Sequence, residues 1–119
     1  MAAPNIVNVT TITGKTAVQA VSTAATNIVE NAGSSGTVVK INNLIVSNVN
    51  GTAAADITAS VYRSTTEYKV AHTISVPADA TLIVLDKATS IYLEEGDSLR
   101  LTASTNSYLH AVCSYEIIG

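Results

Sequence analysis

The chain has 119 residues, the length of one domain, with 6 Lys and Arg, 9 Asp and Glu and a formal charge of −3. Charged residues make up 13%, about half the ~25% usual in soluble domains, so a basic nucleic-acid footprint is disfavoured. A single cysteine, Cys113, rules out an intrachain disulfide, and a domain of this size buries roughly 65% of its unfolded surface, enough for a core without metal.

Strand formers dominate: 14 Val, 11 Ile and 16 Thr, residues that suit a pleated surface better than a helix. In chain order, "MAAPN" has no core pattern, and residues 1–13 are expected to form an N-terminal strand or arm ahead of a domain over 14–119. Residues 16–22, "TAVQAVS", fit a strand or a helical turn, and 25–30 a strand. "NAGSSG", 31–36, reads as a loop. Residues 37–49 form a long strand or a pair split near Asn42 and Asn43, and Asn50–Gly51 then suits a turn with left-handed angles. In 55–63, Ile57, Ala59 and Val61 alternate with Asp56, Thr58 and Ser60.

The clearest alternation is "EYKVAHTISV", 67–76, with Tyr68, Val70, His72, Ile74 and Val76 on one side. Pro77 closes it, and "PADAT" turns the chain into the apolar run 82–85. "SIYL" and "SLRL" flank a glycine-containing corner. The last strands, 98–104 and 108–118, are separated by Thr105, Asn106 and Ser107, a connection short enough to predict an antiparallel hairpin. About eight strands at spacings near ten residues, without a long helix, predict an all-β fold: a two-sheet antiparallel β-sandwich of jelly-roll or Greek-key kind.

Residues able to carry chemistry are few. Glu94, Glu95 and Asp97 surround Gly96. A turn accounts for all four, since glycine accepts a positive φ and aspartate bonds nearby backbone N–H groups. A metal site wants oxygen ligands spread around the ion, and paired carboxylates for glycoside hydrolysis must face across a cleft, whereas adjacent glutamates at a strand end point apart. His72 and His110 lie on different strands, and with Cys113 lack zinc-site spacing. "GSSG" lacks the lysine of a phosphate loop. No catalytic, cofactor-binding or metal-ligating residue is therefore assigned, no cofactor is expected, and the chain is not expected to be an enzyme. Cys113 sits on an alternating face as a small core residue. Tyr62 lies opposite the apolar face of its strand, outside the core, and Tyr62, Tyr92 and Tyr108 are the stacking candidates if the domain binds sugar.

So sparse a charge offers little protection against self-association, which predicts a surface covered by copies of itself or by another protein. Across residues 14–118 the chain resembles the small virion structural proteins of marine tailed phages, cyanophages above all. "SNVNGTAAAD", "ISVPADATL", "YLEEGDSLR" and "SYEII" carry the likeness. They are turn and strand signatures, so no residue role transfers with them. The resemblance implies a structural component of a bacteriophage virion that acts by assembly, as a capsid decoration protein or a neck or tail component. The alternative is a host-surface or glycan-binding module of a tail or fibre. Expected partners are other virion proteins and further copies of the chain, in a trimer or another symmetric ring, with no nucleic acid and no membrane. "MAAPNIV" has no basic segment or long apolar run, so synthesis in the host cytoplasm is expected.

Overall fold

Period-two alternation of β-branched and small polar residues lays down nine strands in the computed structural model, which describes Val7 and residues 11–119. They are β1 (Ile12–Ala20), β2 (Thr26–Glu30), β3 (Val38–Asn48), β4 (Ala55–Arg63), β5 (Thr66–Val76), β6 (Thr81–Leu85), β7 (Ile91–Leu93), β8 (Ser98–Ala103) and β9 (Leu109–Ile118). One 3-10 turn, Lys87–Thr89, follows Asp86, whose side chain accepts from the backbone N–H groups of Ala88 and Thr89. The strands pair antiparallel into two sheets. One runs β1-β9-β3-β6, with β7 also on β3. The other runs β2-β8-β4-β5. This is the expected two-sheet antiparallel β-sandwich, with nine strands where about eight were expected. The expected arm falls largely on residues 1–10, of which only Val7 is described, and β1 begins at Ile12.

The core lies between the sheets and is aliphatic. Ile41, Leu44 and Val46 of β3 meet Ile57 and Ala59 of β4, Leu99 and Leu101 of β8, and Leu109, Ala111 and Cys113 of β9. The segment expected as one strand or a split pair forms a single strand, β3, with a register shift between Ile41 and Asn43. The bulge keeps both halves facing inward, and the Asn43 side chain accepts from the Ser114 N–H at 3.1 Å.

Three expectations are corrected. Strands β8 and β9 are not a hairpin: they lie in different sheets. Their apolar faces, Leu99 and Leu101 on one and Leu109 and Ala111 on the other, bury completely only by meeting across the core. The alternation in β5 is not a core face either. Tyr68, Val70 and Ile74 are exposed, and only Val76 is buried. This edge strand shifts register twice against β4, with Thr73 at φ 48°, so its apolar side does not stay aligned with the core. Finally, Asn50 and Gly51 are outside the left-handed region. The turn is held by Asn50 Oδ1, which accepts from the N–H groups of Thr52 and Ala53.

At that end of the sandwich, buried Asn48 ties three segments together. Its amide donates to the carbonyls of Ala53 at 3.0 Å and Val76 at 2.9 Å, and its Oδ1 accepts from the Asn50 N–H. Asn48→Ala leaves these groups unpaired in a buried position, and a chemical denaturation curve is expected to show a loss of about 2 kcal/mol.

Candidate assembly face

The acidic corner of "IYLEEGDSLRL" is a structural clamp. Gly96 takes φ +87°, which closes a turn in which the Asp97 N–H donates to the Glu94 carbonyl at 3.0 Å. Asp97 turns inward to 1% exposure. Its carboxylate takes Nε of Arg63 at 2.7 Å, a second bond from the same guanidinium, and the Glu94 N–H at 2.8 Å. Burial pushes the Asp97 carboxyl up, but these three donors outweigh it and hold it below the usual aspartate value. Glu94 reaches the outer side of the same guanidinium at 3.0 Å, while Glu95 points away and accepts from the Gly36 N–H at 2.7 Å.

Asn31, in the loop before β3, completes the corner. Its backbone pairs with Gly96 and Asp97. Its side chain donates to the carbonyls of Thr37 and Leu93 and accepts from Ser35. Each of the three acids thus sets at least one oxygen against a cation or a backbone donor. Asn31 and Arg63 were not singled out by sequence reasoning. An asparagine opening a Gly/Ser loop was the available signal for the first.

The other chemically capable residues stay apart. His72 is exposed on β5 and His110 on β9, strands of opposite sheets, while Cys113 is buried between the sheets. Burial pushes the Cys113 thiol up to about 12. A thiol so placed is neither ionised nor reachable, and Ellman's reagent is expected to leave it unmodified in the native protein and to titrate one thiol after unfolding.

The two outer faces of the sandwich are finished in opposite ways. On the four-stranded sheet, the Arg100 guanidinium stacks 3.6 Å over the Tyr62 ring, donates to Asn27 and lies 3.5 Å from Glu67. Glu67 also takes Lys69 at 3.0 Å and the Ser60 hydroxyl, and the Lys69 bond foremost holds its carboxyl below the usual glutamate value. Tyr62, a stacking candidate, is therefore covered by Arg100. Such a knitted polar surface is suited to water.

The five-stranded sheet carries an apolar ladder instead. Val18 of β1 pairs with Val112 of β9, Val112 with Ile45 of β3, and Ile45 with Ile83 of β6. Val18 is 74% and Ile83 61% exposed, and none of the four belongs to the inter-sheet core. The rungs on either side hold no Asp, Glu, Lys or Arg: Ala20, His110, Ser47 and Thr81 on one, Thr16, Ser114 and Asn43 on the other. Only the next rung, Gly14, Glu116, Lys40 and Tyr92, holds a carboxylate and an amine. Scattered exposed apolar residues are ordinary, but a contiguous row crossing a whole sheet is the mark of a contact surface.

An open pocket of about 370 Å³ lies at the lateral seam between the sheets, lined by Val61, Arg63, Tyr68, Ile91 and Tyr92. Tyr68 and Tyr92 are 59% and 44% exposed there. Tyr108, the remaining stacking candidate, is half-buried against the core.

No protein-family model and no curated protein matches the chain. Solved structures do. A chain in the acidic stable capsid structure of Helicobacter pylori bacteriophage KHP30 aligns at TM-score 0.55 and 7% identity, over 94% of this chain and 90% of that one. A chain of the Bacillus endospore appendages, a novel family of disulfide-linked pili, aligns at TM-score 0.51 and 14% identity, over 91% and 88%. A pentameric capsid protein isolated from metagenomic phage sequences aligns at 0.42 and 18%, over 84% and 59%. At these identities the likeness to the first two is one of fold. One difference from the pili is plain, because the single cysteine of this chain is buried in the core.

Proposed function

We propose that this chain is a structural subunit of a bacteriophage virion that works by assembly and performs no catalysis. The observation carrying this reading is the asymmetry of the two faces: one is knitted with charge for water, and the other is neutral with an apolar row along its middle. The fold likeness to a phage capsid chain over nearly the full length of both is consistent with it, as is the resemblance to cyanophage-type virion proteins. Within a particle, the neutral face covers a neighbour and the charged face looks outward. The assembly is closed and symmetric. Its mass decides between the trimer suggested by the sequence and an even-numbered form. Decoration of a shell, ahead of a neck or tail position, is the reading that copy number tests. Quantitative mass spectrometry of purified particles is expected to find the chain at hundreds of copies per virion. A few copies would move it to the neck or tail, and none would remove the virion reading.

A second reading has one observation in its favour. Tyr68 and Tyr92 flank the seam pocket beside the Arg63–Glu94 pair, so two rings and a hydrogen-bonding rim face one space. That is the equipment of a glycan site. Binding on an array of host-surface glycans that disappears in Tyr68→Ala and Tyr92→Ala would establish it, and a blank array would remove it.

A further inference from the structure

We infer that the neutral outer face of the five-stranded sheet docks a second copy of this chain, sheet against sheet, about a two-fold axis running along the strands between β9 and β3. The inference rests on the assembly reading and adds the partner and the geometry.

The pairing registers fix what meets what. Such an axis sets β9 against β3 of the second copy and β1 against its β6 and β7. Along the ladder, Val112 then meets Ile45 of the second copy, and Val18 meets Ile83. In the charged rung, Lys40 faces Glu116 of the second copy and Gly14 faces Tyr92. A cation lies against an anion, and a large ring against a residue with no side chain. In the neutral rungs, Ser114 faces Asn43 and His110 faces Ser47, a donor and an acceptor in each pair, and small Ala20 faces Thr81. An axis turned by a right angle, along the ladder, would carry each Lys40 and Glu116 to opposite ends of the contact and pair neither across it. Charge complementarity therefore selects both the occupant and the axis.

The area is sufficient. Four strands at ~4.8 Å spacing and nine residues at ~3.3 Å rise give a face of roughly 19 by 30 Å, or about 570 Å² in projection. Side-chain relief brings its accessible area towards the ~800 Å² that each partner contributes to a standard stable interface. Packed sheets diverge by about 30°, so the match is closest along the ladder, and the Lys40–Glu116 contacts depend on the length of both side chains.

Sedimentation equilibrium on the purified protein is expected to show a concentration-dependent dimer. Val18→Lys and Ile83→Lys, both at exposed positions, should each weaken it at least tenfold without lowering the melting temperature of the monomer, while Tyr68→Ser at the seam leaves it unchanged. A short bismaleimide gives the geometry. An equal mixture of Val18→Cys and Ile83→Cys chains should yield several-fold more cross-linked dimer than either variant alone, with Cys113 buried and silent. A monomer at all concentrations, lysine variants that associate as the wild type does, or equal cross-linking in all three samples would overturn the inference. If particles contain many copies of a chain that stays monomeric, the virion reading stands and this one fails. If the dimer forms as described and particles lack the chain, this one stands and the virion reading fails.

Discussion

Leu101→Ala is expected to cost about 3–4 kcal/mol of folding stability, the largest loss from any single truncation considered. Leu101 is fully buried on β8, the strand between β2 and β4, and registers with Thr26 on one side and Ala59 on the other. Its methyls fill the space between the sheets, and the neighbours that would have to collapse into the gap are strands pinned by ladder bonds on both sides. The loss therefore combines the transfer of the side chain with a persistent cavity. Against the ~5–15 kcal/mol that holds an ordinary domain together, this is a large fraction. The midpoint in a thermal melt should fall by roughly 10–15 °C. Val18→Ala, a truncation on the exposed ladder, should stay within about 0.5 kcal/mol of wild type. A core reading and a contact-face reading of two apolar residues are thus separated in one experiment.

Asp97→Ala is expected to cost about 2–3 kcal/mol. The carboxylate is buried and accepts from Arg63 twice and from the Glu94 N–H, so its removal opens the corner that joins β7, β8, the end of β4 and the Asn31 loop. The upper range for breaking a buried pair, ~3–5 kcal/mol, does not apply in full. Arg63 is 47% exposed and regains water when its partner leaves. The same residue sets a pH dependence. Its folded-state pKa lies below the ordinary value of 3.8, so its contribution is complete above the unfolded pKa and disappears as pH falls through the folded one. Denaturation curves should show wild-type stability falling with acid below about pH 4. Asp97→Asn, which keeps the shape and one acceptor, should be less stable at neutral pH and lose less on acidification. Because Asn31, Arg63 and Asp97 share one network, double substitutions there should cost less than the sum of the singles.

Much of this fold was legible. Ile57, Ala59 and Val61 alternate as a half-buried strand should, and β4 places the first two in the core. Cys113 keeps the alternation of Leu109 and Ala111 and is buried with them. The sequence pattern also marked the weak point of β3, where the bulge sits beside Asn42. Sheet membership was hidden. Three residues, 105–107, can span the ~10 Å between stacked sheets as readily as the ~4.8 Å between neighbouring strands, so loop length alone does not separate a hairpin from a crossing. Alternation in β5 was misleading for a related reason: the period says which residues share a side, but two bulges at an edge decide whether that side meets the core.

The apolar row was the least visible part. Val18, Ile45, Ile83 and Val112 come from four distant segments, and each looks like an ordinary stray apolar residue. Only the registers line them up. One local sign was available in "NLIVS", where Leu44, Ile45 and Val46 make a strand apolar on both sides, which argues that both sides are covered. The acidic corner carried the opposite lesson. Its turn was readable from Gly96, but its partner Arg63 lies 34 positions away in sequence, beyond any local pattern.

On the proposed function, the neutral face of the five-stranded sheet is covered when the protein is at work. A cryo-EM reconstruction of the intact particle, with this chain fitted, tests it most directly. Protein density is expected packed along Val18, Val112, Ile45 and Ile83, with the Arg100–Glu67 face turned to solvent. A map in which that row lies bare to water while the charged sheet makes the contacts would contradict it.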